Sequence, residues 1–195
     1  MKNIQRCAWT TSDPLYIVYH DKEWGTPVHD DRILFEFLIL EGAQAGLSWI
    51  TILRKRENFR KAFDNFNPVI IAAYNGSKIN ELLNNEGIIR NKLKINAAII
   101  NAGAFLKVQK EYGSFDKYIR QFIGGAAKQN YWKDIKGVPA TSNESDQMSK
   151  DLKKRGFKFV GSTICYAFMQ ATGMVNDHTT NCFRHKELIQ MRPLS

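Results

Sequence analysis

Apolar residues recur at helical spacing along almost the whole 195-residue chain, and only Phe157-Lys-Phe159 alternates in the manner of a strand. Three residues cannot build a sheet, so the pattern predicts an all-α protein. Capping chemistry punctuates the helices. Ser12-Asp13-Pro14 predicts a short helix running toward His20, and Asp30-Asp31 opens a second whose stripe is Ile33, Leu34, Phe37 and Leu38. Gly42-Ala-Gln-Ala-Gly46 reads as the turn before a third helix from about Ser48, and Asn67-Pro68 starts another. A short helix from Ser77 to about Asn85 breaks at Gly87, and a longer one resumes from about Asn91 to Lys110. Lys153-Lys154-Arg155-Gly156 reads as a helix C-terminus, and a last long helix spans about Ser162 to Ala171. The least regular stretch is Gly124–Ser142. The expectation is one domain over residues 1–195, or two lobes with a site between them.

No apolar run approaches the roughly 18 residues of a membrane span, and Met1 to Arg6 is followed by no secretory core. Three cysteines, Cys7, Cys165 and Cys182, cannot all pair, which points to a reducing compartment and a cytoplasmic protein. A net charge of +9 favours a nucleic-acid partner, although a solvated basic surface has the same composition.

Two pairs of metal-binding residue types stand near the two ends. Cys7 and His20 are separated by twelve residues, and His178 and Cys182 by three. Thiolate and imidazole are the donors zinc prefers, and i, i+4 spacing would let His178 and Cys182 face one ion from a helical turn. The alternative is a surface histidine and two ordinary thiols. Four protein ligands would leave no open position for water, so such a metal would be structural. His29 and His185 have no cysteine at useful spacing. Cys165 reads as helical core.

Glu41 continues the apolar stripe of Leu34, Phe37 and Leu38. A carboxylate on that face is either costly and functional, or the helix ends at Leu40 and Glu41 turns into water. Nearby are Trp9, Tyr16, Tyr19 and Trp49, rings that suit a core but also a pocket for a planar heterocycle bearing amino donors. Asn85-Glu-Gly87-Ile88-Ile89-Arg90-Asn91, flanked by Lys92 and Lys94, could present backbone N–H groups to a phosphate, or could be a simple glycine stop.

Long motifs then converge on one family. Cys7-Ala-Trp9, Asp13-Pro-Leu-Tyr16-Ile-Val-Tyr19-His20-Asp-Lys-Glu-Trp24-Gly25, Leu40-Glu41-Gly-Ala-Gln-Ala-Gly-Leu-Ser-Trp49 through Glu57, Gly87-Ile-Ile-Arg90, Lys154 to Gly161 and Asn176-Asp-His178-x-x-x-Cys182 resemble bacterial DNA-3-methyladenine glycosylase I, in order and over nearly the whole chain. The resemblance implies a helix-hairpin-helix DNA glycosylase fold with one structural zinc joining the terminal segments through Cys7, His20, His178 and Cys182. It implies that Glu41, the expected catalytic carboxylate, lies with Tyr16, Tyr19, Trp9 and Trp49 in a pocket for the flipped base. It makes Gly87, Ile88, Ile89 and Arg90 the DNA-binding hairpin, to which Lys92 is added as a DNA contact; the Gly42–Leu47 turn, with Gln44 or Leu47 at its tip, is the candidate wedge. The wider superfamily carries a catalytic aspartate after its hairpin; none lies between Gly87 and Phe115, and Asp116 is badly placed, as expected of this branch.

The implied activity is hydrolytic, monofunctional excision of 3-methyladenine from alkylated double-stranded DNA by a monomer, leaving an abasic site. A non-catalytic DNA binder and a zinc hydrolase are the competing classes. In the tail Phe183–Ser195, Arg184, Lys186 and Arg192 have no assigned role.

Overall fold

The computed structural model describes residues 4–191; Arg192 and the first three residues, which belong to the leader reading, lie outside them. Ten α-helices are present in the described residues: α1 (Pro14–Lys22), α2 (Asp31–Gln44), α3 (Trp49–Ala62), α4 (Pro68–Ala72), α5 (Gly76–Asn84), α6 (Lys92–Tyr112), α7 (Phe115–Arg120), α8 (Asn143–Lys154), α9 (Ser162–Ala171) and α10 (Phe183–Gln190). Two short strands, β1 (Lys128–Gln129) and β2 (Val175–Asn176), pair in parallel. The all-α expectation holds, and the buried apolar side chains form one cluster that reaches from Cys7 to Cys182.

Helix α2 is the axis of the fold and packs against α3, α6, α7 and α9. Asp30 caps it by accepting from the N–H groups of Arg32 and Ile33. Its neighbour Asp31 points the other way and accepts from the N–H groups of Phe115 and Asp116, so the start of α2 also caps α7. Leu34, Phe35, Phe37, Leu38 and Leu40 are all buried. The expected turn at Gly42 does not form: α2 continues to Gln44. Glycine lets Phe159 pack closely there, because a Cβ at Gly42 would lie 3.3 Å from the Phe159 Cβ.

The same contact explains why Phe157-Lys-Phe159 is no strand. Phe159 adopts φ +54°, and the buried Asn101 amide of α6 bonds both the N–H and the C=O of Lys158, at 2.7 and 3.0 Å. A side chain thus occupies the place of a partner strand. Helices α5 and α6 are joined by the loop Asn85–Asn91, with Asn91 capping α6. Within the described part of the tail, Phe183–Gln190 forms α10, whose Arg184 reaches the Thr26 hydroxyl at 2.8 Å.

Candidate functional site

Cys7, His20, His178 and Cys182 are all buried, and one ligand atom from each lies within 4.8 Å of the other three. The Cys182 Sγ is 3.4 Å from His20 Nε2 and 3.5 Å from His178 Nδ1, and the Cys7 Sγ is 3.5 Å from the same Nδ1. A tetrahedral ion with ligand bonds of about 2.0–2.3 Å would space its donors by about 3.5 Å. The other ring nitrogens are held outward: His20 Nδ1 is 2.7 Å from the Asp21 carboxylate, and His178 Nε2 is 3.0 Å from the Trp24 carbonyl. Those contacts fix which nitrogen faces the centre. The four residues can therefore hold a metal, and they close its coordination sphere. One expected detail is different. His178 and Cys182 approach through a turn, with the Cys182 N–H bonded to the Thr179 carbonyl, and Cys182 is the N-cap of α10 rather than a residue within a helix.

Beside this cluster lies a cavity of about 310 Å³, lined by Trp9, Tyr16, Tyr19, Trp24, Glu41, Gln44, Trp49, Ile135, Ala167 and Gln170. Trp9 joins cluster and cavity, its ring 5.3 Å from His20 and 5.6 Å from Tyr16. Tyr19 packs 5.5 Å from Trp49, while the Tyr16 hydroxyl accepts from the Ile50 N–H at 3.2 Å and so fixes the first turn of α3.

Glu41 sits in the penultimate turn of α2 with only 4% of its surface exposed, so it does not turn into water. Burial pushes its carboxyl up to about 8. Tyr19 is likewise raised by burial and then by Glu41, which keeps its phenol neutral. The buried indole N–H groups of Trp9 and Trp49 have no hydrogen-bond partner among the described residues. An acid and the rings of Trp9, Tyr16, Tyr19 and Trp49 thus share one hollow, an arrangement suited to a flat heterocycle.

Of the hairpin residues, Ile88 is 3% exposed and Ile89 half-buried, so both side chains belong to the core and only their backbone can face a ligand. The Gly87 N–H is taken by the Asn85 side chain at 2.8 Å. Arg90 and Lys92 are exposed, and Lys55 of α3 ties the loop down through the Glu86 carbonyl. Lys94 is not a free basic flank: its ammonium turns inward to the carbonyls of Ala43 and Ala45. Gln44 lines the cavity, and Leu47 is 40% exposed at the tip of the following loop. His29 bonds Asp116 and His185 bonds the Asn130 carbonyl, so neither joins the metal cluster. Cys165 is core, within reach of the Val160 carbonyl.

Sequence reasoning passed over Asp177. Its carboxylate is 1% exposed and accepts from Asn130, Trp132, Tyr166 and Gln170 at 2.7–2.8 Å. It thereby joins the irregular segment carrying Ile135 to the wall residue Gln170. Its position directly before His178 was the available signal. Also unanticipated is the buried Arg56 of α3, which bonds Glu23 and Glu36 and locks α1, α2 and α3 together behind the cavity.

A sequence profile described as methyladenine glycosylase matches residues 9–185. The chain is 48% identical over 179 residues to DNA-3-methyladenine glycosylase 1 of Escherichia coli (strain K12), covering 92% of this chain and 96% of that protein. Its fold is similar to a crystal structure of 3-methyladenine DNA glycosylase I, with a TM-score of 0.90, 52% identity, and coverage of 92% and 98% of the two chains. It is also similar to a Tyr-to-Phe variant of such an enzyme crystallised in complex with 3-methyladenine, with a TM-score of 0.89, 35% identity, and coverage of 91% and 96%.

Proposed function

The chain belongs to the methyladenine glycosylase family, and on that premise we propose that it excises 3-methyladenine from alkylated double-stranded DNA. The observation that carries the reading is the buried Glu41 among the rings of Trp9, Tyr16, Tyr19 and Trp49 in one cavity. Methylation at N3 makes the purine cationic and weakens its bond to the sugar. The protein therefore has to find the base, extrude it and hold it while the bond breaks, rather than supply a strong acid.

The hairpin, through the backbone around Ile89 and the side chains of Arg90 and Lys92, would hold the phosphodiester chain. Leu47, with Gln44 beneath it, would enter the gap left by the flipped nucleotide. In the cavity, Trp49 and the tyrosines would stack on the cationic ring, and Glu41 would accept from its exocyclic amine. Charge-assisted bonds of this kind are worth about 1.5–3 kcal/mol. Guanine presents an oxygen at that edge and would be repelled. The C1′–N9 bond then breaks with its electrons passing to the base, which leaves neutral. Water adds to C1′ and loses a proton, leaving an abasic sugar. No lysine lines the cavity to attack the sugar, so the strand remains uncut.

Two thiolates and two imidazoles at these separations suit zinc, which would be structural and joins the terminal segments. The whole chain acts as one domain and as a monomer, in the cytoplasm. A non-catalytic DNA binder is separated from this reading by product. Incubation with methylated duplex DNA, followed by chromatography, should yield free 3-methyladenine and an unbroken abasic strand. Binding without base release would reject the reading.

A further inference from the structure

Lys94 stands in the first turn of α6, immediately after the hairpin, and its N–H is bonded to the capping Asn91 side chain. Its ammonium reaches across to α2 and donates to the carbonyls of Ala43 and Ala45, both at 2.7 Å. These belong to the last turn of α2 and its C-cap. Glu41 lies two residues before Ala43, Gln44 lies between the two acceptors, and the chain beyond Ala45 carries Leu47 to Trp49. A cation at a helix C-terminus is favourable, but an exposed lysine on α2 itself would provide that without crossing to another element. Lys94 is instead half-buried, and burial lowers its affinity for the proton. The cost is offset by what the contact fixes: where α2 ends, how its last residues turn toward Trp49, and how far that turn lies from the hairpin.

We infer that Lys94 is a positioning residue that couples the hairpin's hold on the DNA backbone to the placement of the pocket wall. The inference rests on the glycosylase reading. It predicts that removing the ammonium separates two quantities that a folding defect would move together. One is excision of the base from duplex DNA; the other is affinity for the free base.

The test compares the full chain with Lys94→Met and Lys94→Arg. Single-turnover excision of 3-methyladenine from duplex DNA is measured alongside binding of free 3-methyladenine followed by tryptophan fluorescence. Lys94→Met should slow excision by about tenfold or more while free-base affinity stays within about twofold. Lys94→Arg, which keeps a donor cation, should recover most of the rate. Excision within about twofold of wild type in Lys94→Met would overturn the inference, as would a parallel fall in free-base affinity. Should Lys94→Met fail to fold, Lys94→Gln is measured in the same way against the same limits. A wild-type protein that releases no base fails the glycosylase reading itself, a result distinct from either.

Discussion

The His178 Nε2 donates to the Trp24 carbonyl at 3.0 Å, so the metal cluster is bonded directly to the backbone of a residue that lines the cavity. Removing the zinc proposed to sit there should therefore loosen both. Chelation, or Cys182→Ser, is expected to lower the thermal midpoint by about 10 °C or more. Below the new midpoint, base release should persist, because no ligand position is open to substrate. Calorimetry and an excision assay on the same sample check this; activity lost with the fold intact would assign the metal a catalytic part.

Glu41 is raised to about 8 by burial, against about 4.5 in the unfolded chain. The neutral acid is the form the empty cavity favours. Its stabilising effect is complete below about pH 4.5 and is lost as pH rises through about 8, a loss bounded by about 5 kcal/mol. Glu41→Gln cannot ionise, so it should gain stability relative to wild type between pH 5 and pH 9, read by denaturant unfolding at each pH (about 2–5 kcal/mol of differential gain).

The same substitution should weaken chemistry. A cationic base beside Glu41 favours the carboxylate, so wild-type excision should strengthen as pH rises toward 8, with proton release on capture. Glu41→Gln should excise about 10- to 100-fold more slowly, and its pH profile should lose that rise. Rates measured across the range decide it; an unchanged profile would remove Glu41 from the reaction.

A Cβ at position 87 would lie 3.0 Å from the Asn85 Oδ1 and 3.1 Å from the Asn58 Cβ. Gly87→Ala must therefore shift the hairpin or the Asn58 side chain of α3 by a few tenths of an ångström. Duplex affinity should fall by about 3- to 10-fold, while free-base binding is unaffected. Titrations with each ligand distinguish a hairpin effect from a global one.

Asp177 accepts four hydrogen bonds from neutral donors. An asparagine would turn an NH₂ toward some of those donors, so Asp177→Asn should cost about 2–4 kcal/mol in stability. It should also raise the KM for duplex substrate, because Gln170 and the segment carrying Ile135 lose their common anchor.

Much of this architecture was legible from local signals. Asp13-Pro14, Asp30 and Asn91 cap helices where their chemistry predicts, and α9 spans Ser162–Ala171 as its periodicity indicates. The errors have long-range causes. Gly42 resembles a turn but serves a contact with Phe159, more than a hundred residues later. The alternation at Phe157–Phe159 is overruled by Asn101. Lys94 looked like a surface charge because nothing near it in sequence reveals two carbonyls on α2. The cavity residues could be singled out one by one, since Glu41 interrupted an apolar stripe; that the rings converge on it required the fold.

The metal cluster also bears on how the polypeptide comes to be assembled. Its first two donors emerge within the opening twenty residues, yet His178 and Cys182 follow only after another 157 residues have been added beyond His20. A nascent chain can complete most of its helices while Cys7 and His20 wait without partners. The Trp24 carbonyl, at the wall of the hollow, receives its bond from His178 only when that late turn arrives, so this brace of the cavity is among the last contacts that synthesis supplies.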